Sequence, residues 1–360
     1  MEVAIFCKIV DNFGDAGFGI RLARGLCAHA DKVRIHCNNL DLLNKMCFLN
    51  EKDSKLIPKN LLISHFYELP GKVIPPADLI VELFQVEPPL EFLKRIQILE
   101  GTTRVMLDHL STESWSDSYQ KKIAPDFKLL DYVHPSSWKL SPAANRLWVS
   151  PGFSKNSSGL ISNAWEEITI EKRIELREFI LNSKNTKIKK NNSKELGSVF
   201  IVCIFLYEID DVMFKLPVPN EFDSLALYKM STIDMSQISF DYVLQSSNLN
   251  FVRGEDSFFS AIKASASKWK IPFFWQPYRE KNDMHLRKFN GWKSFFSSNE
   301  FKSYWIFAEL IASRNKIHSF SQWNVLFYEW NLLRNYFHSR CLKISRRKSL
   351  EKSLISCTKV

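Results

Sequence analysis

Two short stretches of this 360-residue chain combine residue types that can bind and transform a charged ligand. The first is Asp11-Asn12-Phe13-Gly14-Asp15-Ala16-Gly17. Two carboxylates four residues apart can hold a cation or take up a proton, and Gly14 and Gly17 let a backbone turn tightly and approach a ligand closely. The same acids would also serve as a turn residue and the N-cap of a following helix. The second stretch is Arg253-Gly254-Glu255-Asp256-Ser257. The Arg253 guanidinium can grip a phosphate through two parallel hydrogen bonds, and N–H groups of a helix opening near Asp256 and Ser257 can take another phosphate oxygen. Glu255 and Asp256 would repel that phosphate, so sugar hydroxyls or backbone N–H groups are their natural partners. An ordinary cap with an Arg–Glu surface pair is the plainer alternative. Phe205, Tyr207, Trp275 and Tyr278 accompany these stretches, and such rings either stack on a base or sugar or fill a core.

Both stretches fall between an apolar run and an amphipathic one. Val3 to Val10 reads as a strand, 11–17 as a loop, 18–30 as a helix and 32–37 as a second strand, which is a βαβ unit. Further strands are expected at 78–84, 104–110 and 146–150. A second series opens with a strand at 199–207. It continues with a strand at 249–252, a helix at 257–269 and a strand at 271–275, and helical periodicity dominates 283–333. No internal repeat is found. Strand–loop–helix order in both halves predicts two α/β domains with mostly parallel sheets. Ligands of such folds bind at the carboxyl ends of strands, where both stretches lie.

Composition narrows the function classes. No GxGxxG, GxxxxGK[ST], GxSxG or HExxH occurs, and the eight histidines lack ligand spacing, so no metal site is expected. The seven cysteines form no CxxC pair, which argues for a reducing compartment. No signal peptide is expected, and the longest clean apolar run, 199–206, is far short of the ~20 residues of a membrane helix. A soluble, cytoplasmic protein without a membrane partner is the reading. The net charge of +10 is concentrated: residues 182–197 hold five lysines against one glutamate, and 339–360 hold seven basic residues against one glutamate. These read as a polar loop and a basic tail, with the remainder of the chain neutral. Nucleic acid is therefore an improbable partner, and steering toward an acidic protein fits better.

Several runs together resemble the elongation factor P arginine rhamnosyltransferases. They are Ile5-Phe6-Cys7, Val10 to Asp15 and Arg21-Leu22-Ala23-Arg24 at the start, then Leu249 to Phe258, the most diagnostic run. Pro272-Phe273-Phe274-Trp275, Tyr278 and His285-Leu286 follow in family order. Where the family usually has Trp-His-Ile-Tyr-Pro-Gln, this chain reads Trp275-Gln276-Pro277-Tyr278-Arg279-Glu280. Where it usually has Asn-Leu-Glu-Tyr-Leu-Ser, the chain reads Met106-Leu107-Asp108-His109-Leu110-Ser111. The resemblance implies a GT-B glycosyltransferase, with two Rossmann-like domains and the active site in the cleft between them. On this pattern residues 1–165 bind the acceptor, 166–335 bind the nucleotide sugar, and 336–360 form a basic C-terminal tail or helix.

The implied reaction is inverting transfer of L-rhamnose from dTDP-β-L-rhamnose to an arginine of elongation factor P, with no cofactor. By the same resemblance Asp15 is the general base, Asp11 the accompanying acid and Glu255 a further catalytic group. Asn12, Phe13, Gly14, Tyr207, Gln237, Arg253, Gly254, Asp256, Ser257 and Tyr278 contact the donor. The chemistry needs such residues: a guanidinium is protonated at neutral pH with delocalised lone pairs, so a carboxylate must orient it and remove a proton. The leaving diphosphate must meet cationic and N–H donors. A GT-B enzyme using another nucleotide sugar, or a catalytically silent protein that docks on elongation factor P, are the alternatives. The basic tail, with the 182–197 loop, is expected to speed encounter with the acceptor rather than to shape the site.

Overall fold

The structure is a computed structural model. It describes residues 1–9, 12–48, 55–65, 77–89, 92–93, 102–124, 146–162, 164–190, 198–208, 211–231, 235–279, 281–296, 300–315, 317 and 320–359. The chain forms two compact units. One comprises Met1–Ala164 with Arg347–Val360, the other Trp165–Arg346. Each is an α/β unit on a mainly parallel sheet, as the alternation of apolar and amphipathic runs predicts.

The first unit contains β1 (Glu2–Cys7), α1 (Asn12–Leu26), β2 (Lys32–Cys37), α2 (Leu40–Phe48), β3 (Leu61–His65), β4 (Leu79–Leu83), β5 (Thr103–Leu107), α3 (Trp115–Tyr119) and β6 (Arg146–Val149). Its six strands run in the order β3-β2-β1-β4-β5-β6, with parallel pairing throughout. The expected 11–17 loop is corrected here: Asn12 to Gly17 are already helical, as the opening of α1. Glycine and aspartate read as loop formers, but tertiary packing overrides propensity. α1 lies so close to the sheet that a Cβ at Gly19 would meet Ile35 Cδ1 at 3.2 Å and Cys7 Sγ and Leu83 Cδ2 at 3.3 Å. Glu82 is fully buried on β4, where its two oxygens take Arg104 Nε (2.9 Å) and Arg146 Nε (2.6 Å) from β5 and β6. Burial pushes its carboxyl above the usual range against the pull of both arginines.

The second unit contains α4 (Ile170–Asn182), β7 (Thr186–Lys190), β8 (Val199–Ile204), β9 (Ser224–Lys229), α5 (Gln237–Ser246), β10 (Leu249–Arg253), α6 (Asp256–Ala266) and β11 (Phe273–Gln276). Then come α7 (Met284–Phe296), α8 (Lys302–Ser313), α9 (Ser321–Tyr328) and α10 (Trp330–Ser345). Strand order is β11-β10-β8-β9-β7. Only β7 is antiparallel, at the edge. The expected 182–197 loop is thus partly regular structure, with residues 191–197 outside the described ones. Thr-Lys-Ile-Lys-Lys is a lysine-rich strand, a composition that keeps an exposed sheet edge from pairing with other chains.

Of the two forms expected for 336–360, a tail or a helix, the described residues are mostly helical. Residues up to Ser345 belong to α10, which packs on α6 in the second unit. Arg347 onward belongs to the first unit, with α11 (Leu350–Ile355) inserted into its core. Leu350, Leu354 and Glu351 have no exposed surface. Leu350 N donates to Leu160 O (3.0 Å), and Glu351 Oε1 accepts from Ser162 N (2.8 Å). Glu351 fills the notch left by Gly25 on α1, where a Cβ would lie 3.1 Å from its Cγ and Cδ. The apolar residues scattered among the lysines mark a helix with a buried face, and they decide its fate over the charge. None of the described helices is long and apolar enough to cross a membrane.

Candidate active site

In the second unit the diagnostic run forms the junction from β10 to α6. Arg253 ends the strand, Gly254 and Glu255 make the turn, and Asp256 opens the helix. Gly254 sits at φ +59, and a Cβ there would meet the Tyr207 hydroxyl at 2.7 Å. Only glycine combines that backbone with that approach. The turn is held from both sides: Gly254 N donates to Gln276 O (3.1 Å), and Trp275 Nε1 donates to Gly254 O (2.7 Å). The Ser257 hydroxyl is spent on the same junction, accepting from Arg253 N (3.0 Å) and donating to Arg253 O. What Ser257 can offer a ligand is therefore its backbone N–H in the first turn of α6.

The structure brings Tyr207, Gln237, Arg253, Gly254, Glu255, Asp256, Ser257 and Tyr278 to the carboxyl ends of β8, β9, β10 and β11. Arg253 donates to Leu206 O (3.1 Å) and lies over the rings of Phe205 (4.2 Å) and Tyr207 (4.7 Å). A guanidinium fixed by a carbonyl and two ring faces loses little freedom when it meets an anion. Tyr278 is half exposed and meets Tyr207 edge-on at 5.6 Å. Gln237 opens α5 and donates to the Asp256 carboxylate at 3.4 Å. Glu255 pairs with Lys288 Nζ of α7 at 3.3 Å.

Two groups that the sequence reading did not place in the site complete it. Gln276 is 2% exposed, and its Oε1 accepts from Tyr207 N (2.8 Å), so it staples the Tyr207 loop to β11. A polar residue closing the apolar run Phe-Phe-Trp-Gln was the available signal. Arg314, in the left-handed region at the end of α8, donates to Pro277 O (2.9 Å), pairs with Glu208 (3.3 Å) and stands 5.9 Å from the Tyr207 ring. Burial lowers its pKa, partly opposed by Glu208. It is a second cation beside Tyr207, and nothing in its sequence neighbourhood announces it.

In the first unit Asp15 is half-buried in the first turn of α1, and Cys7 Sγ lies 3.8 Å from its carbonyl oxygen. A carboxylate there is favoured by the helix dipole. Gly14 is half-buried beside it, and the backbones of Asn12 and Phe13 form the start of the helix. Asp11 lies outside the described residues. The preceding backbone is latched by Asn38, whose Oδ1 accepts from Ile9 N (2.7 Å). After β4, Phe84 and Gln85 adopt positive φ of 51 and 64. Phe84 stacks on His109 at 4.0 Å and touches Phe18 of α1 at 5.1 Å. Asp108 accepts from Trp148 Nε1 (3.1 Å) and from His109 N (2.8 Å). The positions where the chain departs from the family's usual Asn-Leu-Glu-Tyr-Leu-Ser are thus engaged in packing at the carboxyl end of β5. Among the described residues no group of three or more His, Cys, Asp or Glu is placed to hold a metal ion.

Nearly the whole chain is similar to known proteins. The family model described as "Elongation-Factor P (EF-P) rhamnosyltransferase EarP" matches residues 3–216 and 211–359. A protein-arginine rhamnosyltransferase of Shewanella oneidensis is 24% identical over 345 residues, covering 82% of this chain and 80% of its own. The protein of that name in Pseudomonas aeruginosa is 23% identical over 330 residues, covering 81% of each. The Neisseria meningitidis one is 23% identical over 316 residues, covering 80% and 76%. Among solved structures, one described as "Structural basis for EarP-mediated arginine glycosylation of translation elongation factor EF-P" is similar at TM-score 0.48 and 14% identity, over 99% of this chain and 97% of that one. The Streptomyces glycosyltransferase SsfS6 is similar at TM-score 0.44 and 9% identity, over 99% of each chain. With the family model matched across nearly the whole length, the chain belongs to the elongation factor P rhamnosyltransferase family.

Proposed function

We propose that this protein is an inverting glycosyltransferase that moves L-rhamnose from dTDP-β-L-rhamnose to an arginine side chain of elongation factor P. The observation that carries the reading is the β10–α6 junction: a fixed arginine, a glycine turn and an open helix N-terminus converge beside Tyr207, in a member of this family. In this reading Arg253 and the first N–H groups of α6 neutralise the diphosphate as it leaves. No metal is then needed for that charge, because preorganised donors supply the stabilisation. Tyr207, Gln237, Asp256 and Tyr278 hold the nucleoside and sugar, and Glu255, kept in place by Lys288, faces the reacting sugar.

The second half of the chemistry is the acceptor. Asp15, with Asp11, orients the acceptor guanidinium and removes its proton as the nitrogen attacks C1, and Asn12, Phe13 and Gly14 contact the donor. The two units would act in the GT-B manner, the first holding the acceptor and the second the donor, in the cytoplasm. The test is intact-mass measurement of elongation factor P after incubation with the protein and dTDP-β-L-rhamnose. Addition of one deoxyhexose at an arginine is the expected result. No mass change in the presence of a donor that binds would turn the reading toward a silent docking protein. Modification only with another nucleotide sugar would replace the donor.

A further inference from the structure

The surface around α3 carries cations that converge, among the described residues, without a carboxylate paired to them. Lys121 Nζ and Lys348 Nζ both donate to the hydroxyl of Ser356, at 2.8 Å and 3.0 Å. That hydroxyl's own proton goes to Ser353 O (2.7 Å), so its lone pairs face the two ammonium groups. Among the described residues no carboxylate pairs with either lysine. The acids nearby are committed elsewhere: Asp117 takes the Ser154 hydroxyl (2.6 Å) and faces Arg347, and Asp108 takes Trp148 Nε1. Burial and then Lys121 lower the pKa of Lys348. Lys121 also has φ +63, a left-handed backbone that is uncommon for a residue with a side chain and that concentrates at functional sites.

The same stretch displays aromatic surface. Trp115 is 51% exposed and Tyr119 52% exposed. Their rings are 5.9 Å apart, and both lie near Trp148, at 6.0 Å and 6.4 Å. Lys122 Nζ stands 5.0 Å from the Tyr119 ring, and Ile123 beside it is 71% exposed. Half-exposed Trp and Tyr bordered by cations that no carboxylate pairs with among the described residues are the composition of a protein-binding surface, in which rings anchor and rim charges guide.

We propose that the stretch 115–123, with Lys348 and Ser356, is a docking surface for an acidic face of the protein acceptor. A carboxylate of that partner takes the place between Lys121 and Lys348, and Trp115 and Tyr119 cover its apolar neighbours. The identity of the acceptor as elongation factor P rests on the reading above; the surface and its acidic partner rest on the lysine pair and the rings. The docking surface belongs to the first unit and the Arg253 junction to the second, so its loss should leave the donor site intact.

Association of fluorescent elongation factor P with the full chain, followed by stopped flow over a salt series, tests this. Charge reversal in the Lys121→Glu, Lys348→Glu double variant should slow association at low salt about tenfold, within the range that electrostatic steering supplies. The difference should shrink as salt rises. Trp115→Ala with Tyr119→Ala should speed dissociation about tenfold, as for ring anchors at interfaces. Both should leave dTDP affinity unchanged, and limited proteolysis of the first unit at the wild-type rate reports that the variants are folded. Lys187→Glu, an exposed lysine on edge strand β7 of the second unit, is the control for net charge. Unchanged association in the double variant, or an equal effect from Lys187→Glu, overturns the proposal. If the wild-type protein ignores elongation factor P altogether, it is the functional reading that fails. Poly-L-glutamate then decides on the surface: binding abolished by the double variant supports it, and binding indifferent to that variant removes it.

Discussion

The two strand-to-helix junctions of this protein have the same place in their sheets and opposite construction. At β10–α6 the turn is two residues long, and its neighbours are locked: Gly254 by Gln276 and Trp275, Arg253 by Leu206, Phe205 and Tyr207, and Ser257 by the backbone of Arg253. At β1–α1 the acid stands inside the first turn of a helix pressed onto the sheet through Gly19. The first is a preorganised cradle in which many groups share one task. The second presents, among the described residues, the charge of Asp15, whose position is set by where its helix lies. Binding energy is therefore expected to be distributed at the cradle and proton transfer to be concentrated at Asp15.

The sharpest way to break this contrast is Asp15→Asn. Loss of a general base costs about 10²–10⁴-fold in rate, and dTDP affinity, measured calorimetrically, should stay at the wild-type level. Normal turnover at saturating donor would remove Asp15 from the chemistry. Arg253→Ala comes next. It should weaken dTDP binding by about 2–3 kcal/mol, the worth of hydrogen bonds to a charged group, and Arg253→Lys should recover only part, because an ammonium cannot reproduce the fork. Unchanged affinity would make Arg253 a packing residue. Gly254→Ala should follow, with about 2 kcal/mol lost from unit stability and dTDP affinity together, through positive-φ strain and the Tyr207 hydroxyl. Melting curves with and without dTDP separate the two. The smallest effect is expected for Gln276→Ala, about 1 kcal/mol in dTDP affinity, since it frees the Tyr207 loop without removing a ligand contact. An effect as large as that of Arg253→Ala would mean that Gln276 itself meets the donor.

What was legible in the sequence follows from the same contrast. The cradle is contiguous, so Arg253 to Ser257 could be read as one object, and the strand before it and the helix after it fell within a few residues of β10 and α6. Its supports are not contiguous. Arg314 reaches the Tyr207 ring from the end of α8, and Gln276 from the next strand, and only the fold brings them in. The acidic stretch was found but its conformation was not, because Gly14, Gly17 and aspartates carry turn propensity whatever the sheet beneath requires. For the segment after Arg346 the sequence left tail and helix both open, because seven basic residues in 339–360 compete with the spacing of Leu350 and Leu354, whose burial is worth about 1.5–3 kcal/mol each. The lysine pair on Ser356 joins residues 121 and 348, which no local pattern links.

The seating of α11 has a consequence for how the molecule is made. Synthesis delivers Met1–Ala164 first and then the whole of Trp165–Arg346, yet the first unit lacks Leu350, Glu351 and Leu354 until that is done. Domains usually fold in the order in which they emerge. Here the later unit can reach its native state while the earlier one waits, with the Gly25 notch and the Ser162 N–H uncovered. A nascent chain arrested after residue 346 should therefore hold a folded second unit and a protease-sensitive first unit. That unit's bearer of Asp15, α1, would receive its last neighbour only when the tail arrives.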